Sequence, residues 1–184
     1  KEYPEGIPAE VDVHEYSSLK DVFEKSCRKF SHLPAYTNMS VSISYSELDE
    51  LSRNFAAYLQ NDLGLGKGER VAIMLPNLLQ YPVALFGTLR AGLTVVNVNP
   101  LYTARELEHQ LHDSGATVIV VLENFAHTLQ EVLAKTQVKS VITTQIGDMF
   151  PAVKALLTNL VVKHVKKMVP SWDIPGSTGL KQAL

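Results

Sequence analysis

Apolar residues recur at helical spacing in three stretches of the chain, each opened by a hydroxyl side chain with an acid three places on. Ser18-Leu19-Lys20-Asp21 leads into Leu19, Val22, Phe23, Cys27 and Phe30. Ser46-Glu47-Leu48-Asp49 leads into Leu48, Leu51, Phe55, Ala56 and Leu59, and Thr103-Ala104-Arg105-Glu106 into Leu107 and Leu111. The hydroxyl can accept a hydrogen bond from a free backbone N–H, while the acid suits the positive end of a helix. Helices are therefore expected to start at Ser18, Ser46 and Thr103.

Short apolar runs alternate with helical patterns. Val71–Leu75, Leu93–Val98, Thr117–Leu122 and Val138–Thr143 read as strands, and the first three lack polar/apolar alternation, as strands covered on both faces do. Helical stretches fall between them at Asn77–Ala91, Thr103–Ser114 and Glu123–Lys135. This order predicts an α/β fold: a mostly parallel sheet reached by right-handed crossovers, with helices on both faces. Pro82, which has no N–H to donate, is expected to kink the helix that contains it. Ala35–Met39 and Val41–Tyr45 read as a small hairpin or edge pair.

The segment 151–170 differs in character. Val153, Leu157, Leu160, Val161, Val165 and Met168 form a stripe at helical spacing, and Lys154, Lys163, His164, Lys166 and Lys167 make up the polar side. No carboxylate occurs from Phe150 to Trp172. Two readings stand: a surface helix with its stripe on the core, or an interfacial helix with its stripe in a lipid headgroup boundary and its lysines on anionic lipid. In the second, Lys154, Lys163, Lys166, Lys167 and Trp172 are the candidate membrane contacts. The chain divides as 1–45 (an opening helix and short strands), 46–150 (alternating α/β), 151–170 (the basic helix) and 171–184 (a loop and the start of a helix).

Composition narrows the function. The chain has 184 residues, 46% hydrophobic and 20% charged, with Lys+Arg 17 against Asp+Glu 19. A net charge of -2 argues against a generally basic nucleic-acid binder. The single cysteine, Cys27, cannot close an internal disulfide, and no apolar run is long enough to cross a bilayer. The polar start at Lys1 is no signal peptide, which points to a reducing, cytoplasmic setting.

Candidate chemistry is sparse. Gly64-Leu65-Gly66-Lys67-Gly68 follows a helix and precedes a strand, so it reads as an αβ turn and not a phosphate loop. Gly176-Ser177-Thr178-Gly179-Leu180-Lys181 mixes small residues with a lysine but has no strand before it, and reads as a linker plus a helix start. Glu106, His109 and Asp113 share a helical face that reads as solvated, and Cys27 reads as a small buried hydrophobe. Asn97–Thr103 leaves the end of a predicted parallel strand, where open α/β sheets bind ligands, so Asn99, Pro100, Tyr102 and Thr103 are candidates for a pocket-side loop.

Several strings together resemble one family. Ser44-Tyr45-Ser46-Glu47-Leu48 resembles the Thr-Tyr-x-Glu-Leu segment of adenylate-forming enzymes, with serine for threonine. Gly68–Asn77 resembles their Gly-Asp-Arg-Val-Ala-x-x-x-Pro-Asn segment, with Glu69 for aspartate. Ala84–Gly87, Arg90-Ala91-Gly92, Asn99–Thr103 with Glu106-Leu107, and Asp113–Ala116 continue the likeness. Gln80–Ala84, Asn99–Glu106 and the basic stretch Val162–Pro170 are similar to bacterial long-chain fatty acid–CoA ligases.

The resemblance implies a two-step reaction: a fatty carboxylate attacks Mg-ATP to give an acyl-adenylate and pyrophosphate, and coenzyme A then displaces AMP. It implies a phosphate loop, a Thr-Glu pair, an adenosine-binding aspartate and a C-terminal lysine, which cradle phosphate and stabilise charge. None of these motifs matches a stretch of this chain. It is therefore expected to be part of the enzyme's N-terminal domain, inactive alone, binding no cofactor itself, with long-chain fatty acid, Mg-ATP and CoA as partners of the whole enzyme. Self-association through surface bared by the missing portion is also expected. The competing expectation is a non-enzymatic α/β module for a lipid surface or a protein partner.

Overall fold

Five parallel strands form a sheet in the order β4-β3-β5-β6-β7 in a computed structural model that describes residues 4, 6, 7, 10, 12 and 14–184. The strands are β3 (Arg70–Met74), β4 (Thr94–Asn97), β5 (Val118–Leu122), β6 (Ser140–Thr144) and β7 (Thr178–Gly179). A separate antiparallel hairpin joins β1 (Pro34–Asn38) to β2 (Val41–Ser44). The chain runs from β3 outward to β4 and then returns across β3 to β5, which puts a topological switch point beside β3.

The crossovers cover both faces. On one face α1 (Leu19–Lys29), α2 (Tyr45–Ala57) and α3 (Gln80–Arg90) bury Phe23, Leu48, Phe55 and Val83 against Val71, Ile73, Val118 and Val120. On the other, α4 (Ala104–Ser114) and α5 (Ala126–Val132) bury Leu107, Leu111 and Leu129 against Ala72, Met74, Ile119 and Val121. All five residues of β5 are buried because it lies inside the sheet between β3 and β6.

Three sequence expectations need correction here. β4 is less covered than an interior strand: it forms the sheet's edge, with Thr94 and Asn97 exposed and Val95 and Val96 only half-buried, one against the core of each face. The second helix is capped by Ser44, not Ser46; Ser44 Oγ accepts from Glu47 N, and the Glu47 carboxylate accepts from Ser44 N at 2.7 Å. Ser46 and Asp49 have the same spacing but lie inside the helix, whereas Ser44 is the last residue of β2 and stands where the helix begins. Pro82 falls in the first turn of α3, since that helix begins at Gln80 and not at Asn77. A first-turn N–H has no intrahelical partner, so proline costs nothing there and no kink results. Thr103 and Glu106 form the expected capping box of α4, and Ser18 caps α1.

The stretch 123–135 is a short 3-10 turn, α5 and a second 3-10 turn instead of one helix. The basic segment forms α6 (Ala152–Leu160), continues as a π-helical turn over Val161–Val165, and reverses at Lys167 with φ 51°, short of Pro170. Among the described residues no helix is long and apolar enough to cross a membrane.

Candidate functional site: a polar crevice and an outward apolar helix

The carboxyl ends of β5 and β6 open onto a crevice of about 450 Å³ lined by Glu123, Thr144, Asp148, Lys163, Trp172 and Lys181, among others. Glu123 is the first residue after β5 and is only 5% exposed. Its Oε2 accepts from Gln145 Nε2 at 2.9 Å. Gln145 in turn accepts from Asn159 Nδ2 of α6 at 2.8 Å, and Asn159 Oδ1 accepts from Gly147 N at 2.8 Å. Gln80, buried at the start of α3, donates to Gln145 O at 2.7 Å. This amide chain therefore links three crossovers behind the crevice.

Asp148 completes the rim. Its Oδ2 accepts from the Thr144 hydroxyl at 2.9 Å and from Gln145 N at 2.7 Å, while Lys181 Nζ lies 3.7 Å from Oδ1. Lys163, on the π-helical turn, is exposed and has no carboxylate within ion-pair distance among the described residues.

α6 is inverted relative to an ordinary surface helix. Its inner side is held by the Asn159 hydrogen bonds and by Ala155, and a Cβ on Gly147 would come within 2.9 Å of Ala155 O. Its outer side carries the apolar stripe: Val153 is 72% exposed, Leu157 58% and Val165 71%. Leu156, Leu160, Val161 and Met168 are exposed as well. The reading with the stripe on the core is thereby overturned, because the neighbouring loop meets the helix through polar groups.

The candidate membrane residues divide. Lys166 and Lys167 are exposed beside the stripe. Lys154 is half-buried, donates to Met39 O of the hairpin turn and sits 5.3 Å from the Phe150 ring, so it ties α6 to the hairpin. Trp172 is half-buried against the second core and shares the crevice with Lys163. Asn124 Nδ2 donates to Met168 O at 2.8 Å and anchors the end of the segment.

The loop Asn99–Thr103 lies after the edge strand. Asn99 Oδ1 accepts from Leu101 N at 3.0 Å, and Thr103 is engaged with Glu106, so their polar groups build a turn and a cap. Pro100 and Tyr102 are half-buried, Tyr102 against the second core.

The first glycine segment behaves as read, with Gly64 and Gly68 at φ of 65° and 86° in the turn before β3, whereas the helix start read at Gly176–Lys181 does not form. Gly176–Lys181 forms a turn, the two-residue strand β7 and a 3-10 turn over Leu180–Gln182, with no helix to face a phosphate. No group of three or more metal-ligating side chains occurs among the described residues. Sequence reasoning missed Glu123, Gln145 and Asp148, for which the available signal was an acid directly after a buried strand, and it weighed Lys181 only as part of the Gly176–Lys181 string.

Comparison with known proteins follows the same outline. The AMP-binding enzyme family model matches residues 23–175. A long-chain-fatty-acid–CoA ligase of Yersinia pestis is 55% identical over 184 residues, all of this chain and 33% of that protein. One from Escherichia coli O157:H7 is 54% identical over 182 residues, 99% of this chain and 32% of that protein. Among solved structures, an anthranilate CoA ligase in complex with anthranoyl-AMP has a TM-score of 0.72 at 15% identity, covering 91% of this chain and 28% of its own, a likeness of fold alone. A long-chain-fatty-acid-CoA ligase from Archaeoglobus fulgidus gives 0.63 at 30% identity over 68% of this chain and 27% of its own. The chain spans about a third of the length of the curated relatives it matches. With the family model covering most of its length, the chain belongs to the AMP-binding enzyme family.

Proposed function

We propose that the protein of which these residues form part joins long-chain fatty acids to coenzyme A at the expense of ATP, through an acyl-adenylate. Residues 1–184 supply a sheet subdomain that walls the substrate site, with Asn99, Pro100, Tyr102 and Thr103 on its pocket side. The supporting observation is the 55% identity to a long-chain-fatty-acid–CoA ligase, which extends over the whole chain. ATP, magnesium and CoA are handled outside the described residues, so the 184-residue chain by itself does not catalyse. Fatty-acid-dependent exchange of labelled pyrophosphate into ATP, measured on the product of the complete reading frame, tests this reading. Exchange that does not depend on fatty acid contradicts it.

The same protein attaches peripherally to the cytoplasmic side of an anionic membrane. The exposed stripe of α6 enters the headgroup boundary while Lys163, Lys166 and Lys167 meet lipid phosphate. Sedimentation with anionic vesicles tests the contact: replacing the three lysines by glutamate abolishes binding if the reading holds and leaves it unchanged if it does not. Without lipid, the bare stripe favours self-association, which size-exclusion chromatography on dilution reads directly.

A further inference from the structure

The crevice has unused valences of both signs. Glu123 is almost fully buried, yet of its two carboxylate oxygens only Oε2 accepts a hydrogen bond among the described residues, and that from a neutral amide. Oε1 is not sealed from solvent, so it is open to an ammonium donor entering the crevice. Asp148, by contrast, is satisfied by Thr144 and Gln145. Two ammonium groups lie on the crevice wall: Lys163, with no ion-pair partner among the described residues, and Lys181, mostly exposed and 3.7 Å from Asp148. The Trp172 indole adds a flat apolar wall, and the volume of about 450 Å³ exceeds what a few heavy atoms need.

We propose that this crevice binds an aminoalkyl phosphate, with its ammonium on Glu123, its methylenes along Trp172 and its phosphate between Lys163 and Lys181. Two lysines suit a phosphate, which offers three acceptor oxygens, better than they suit a carboxylate. The ligand has two sources: a free phosphate ester, or the headgroup of an ethanolamine phospholipid beside the exposed face of α6. The second source rests on the lipid-contact reading and deepens it.

Trp172 is the only tryptophan in the chain, so its emission reports on the crevice. Titration of the 184-residue chain with O-phosphoethanolamine gives a saturable change that ethanolamine alone and inorganic phosphate alone do not reproduce. Glu123→Gln keeps an acceptor for Gln145 and weakens binding about tenfold. Lys163→Ala, at an exposed position that leaves the fold intact, also weakens it about tenfold. No saturable change, or binding by either variant as tight as that of the unaltered chain, overturns the proposal whatever vesicles do. A second arm compares vesicles containing phosphatidylethanolamine with vesicles containing phosphatidylcholine, whose quaternary ammonium has no N–H for Glu123. A preference for the first that Glu123→Gln abolishes assigns the site to a lipid headgroup. Saturable titration with no such preference assigns it to the free ester. Failure of all vesicle binding sinks the lipid contact alone.

Discussion

Arg90 of α3 clasps Asp49 of α2 twice: one guanidinium nitrogen donates to the Asp49 main-chain oxygen at 2.8 Å and another to its carboxylate. The Arg90 side chain is 7% exposed, with Glu24 of α1 at 3.6 Å and the Phe23 ring at 5.0 Å. Truncating the Asp49 side chain would leave this buried cation with the main-chain oxygen of residue 49 and the more distant Glu24 carboxylate as its partners. Asp49→Ala is therefore expected to destabilise the chain by about 3 kcal/mol. Arg90→Met, which removes the charge and keeps the volume, should cost less. Urea unfolding followed by circular dichroism ranks the two, and an exposed-pair value for Asp49→Ala would contradict the clasp.

Gly87 is where α3 meets α2. A Cβ there would lie 2.7 Å from Phe55 Cδ1 and 2.9 Å from Ser52 O. Alanine favours a helix by about 1 kcal/mol over glycine, but overpacking against a backbone oxygen costs about 1–3 kcal/mol. Gly87→Ala should lower the melting temperature; a rise would mean that the helices separate freely.

The two capping boxes make stability depend on acid. The backbone N–H and hydroxyl of Ser44 hold the Glu47 carboxyl below its ordinary 4.5, and those of Thr103 do the same for Glu106. A carboxyl depressed in the folded state contributes stability that is full above its unfolded value and is lost as pH falls through the folded one. Melting temperature should therefore begin to fall near pH 4.5 and continue below it. The Glu47→Gln, Glu106→Gln double variant should show a shallower fall over the same range.

Cys27 is buried among the helices of the first face, and burial pushes its thiol up to about 11. Thiol reagents at about pH 8 should leave the folded chain unmodified and react fully once it is unfolded, because only the thiolate attacks. Fast labelling of native protein would place the α1–α2 contact in doubt.

The alternation of strands and helices was legible because Val71–Leu75 and Thr117–Leu122 are apolar throughout, and Thr103 with Glu106 announces a cap. The edge position of β4 was not, since Val95 and Val96 are as apolar as an interior strand and only pairing order reveals an edge. β7 has two residues and follows a glycine turn, too little for any periodicity. Helical spacing located the stripe of 151–170 but not the direction it faces. That depends on Asn159 meeting Gly147 and Gln145, contacts between positions 12 and 14 apart in sequence. The crevice was illegible for the same reason: Glu123 and Gln145 are brought together by the pairing of β5 with β6.

We propose that this subdomain serves a fatty acid–CoA ligase whose reacting groups lie outside residues 1–184. The most direct test is mass-spectrometric detection of palmitoyl-CoA after incubation with palmitate, CoA and Mg-ATP. The account predicts the thioester from the product of the complete reading frame and none from the 184-residue chain. Palmitoyl-adenylate or palmitoyl-CoA formed by the 184-residue chain, or no thioester from the complete product, would contradict it.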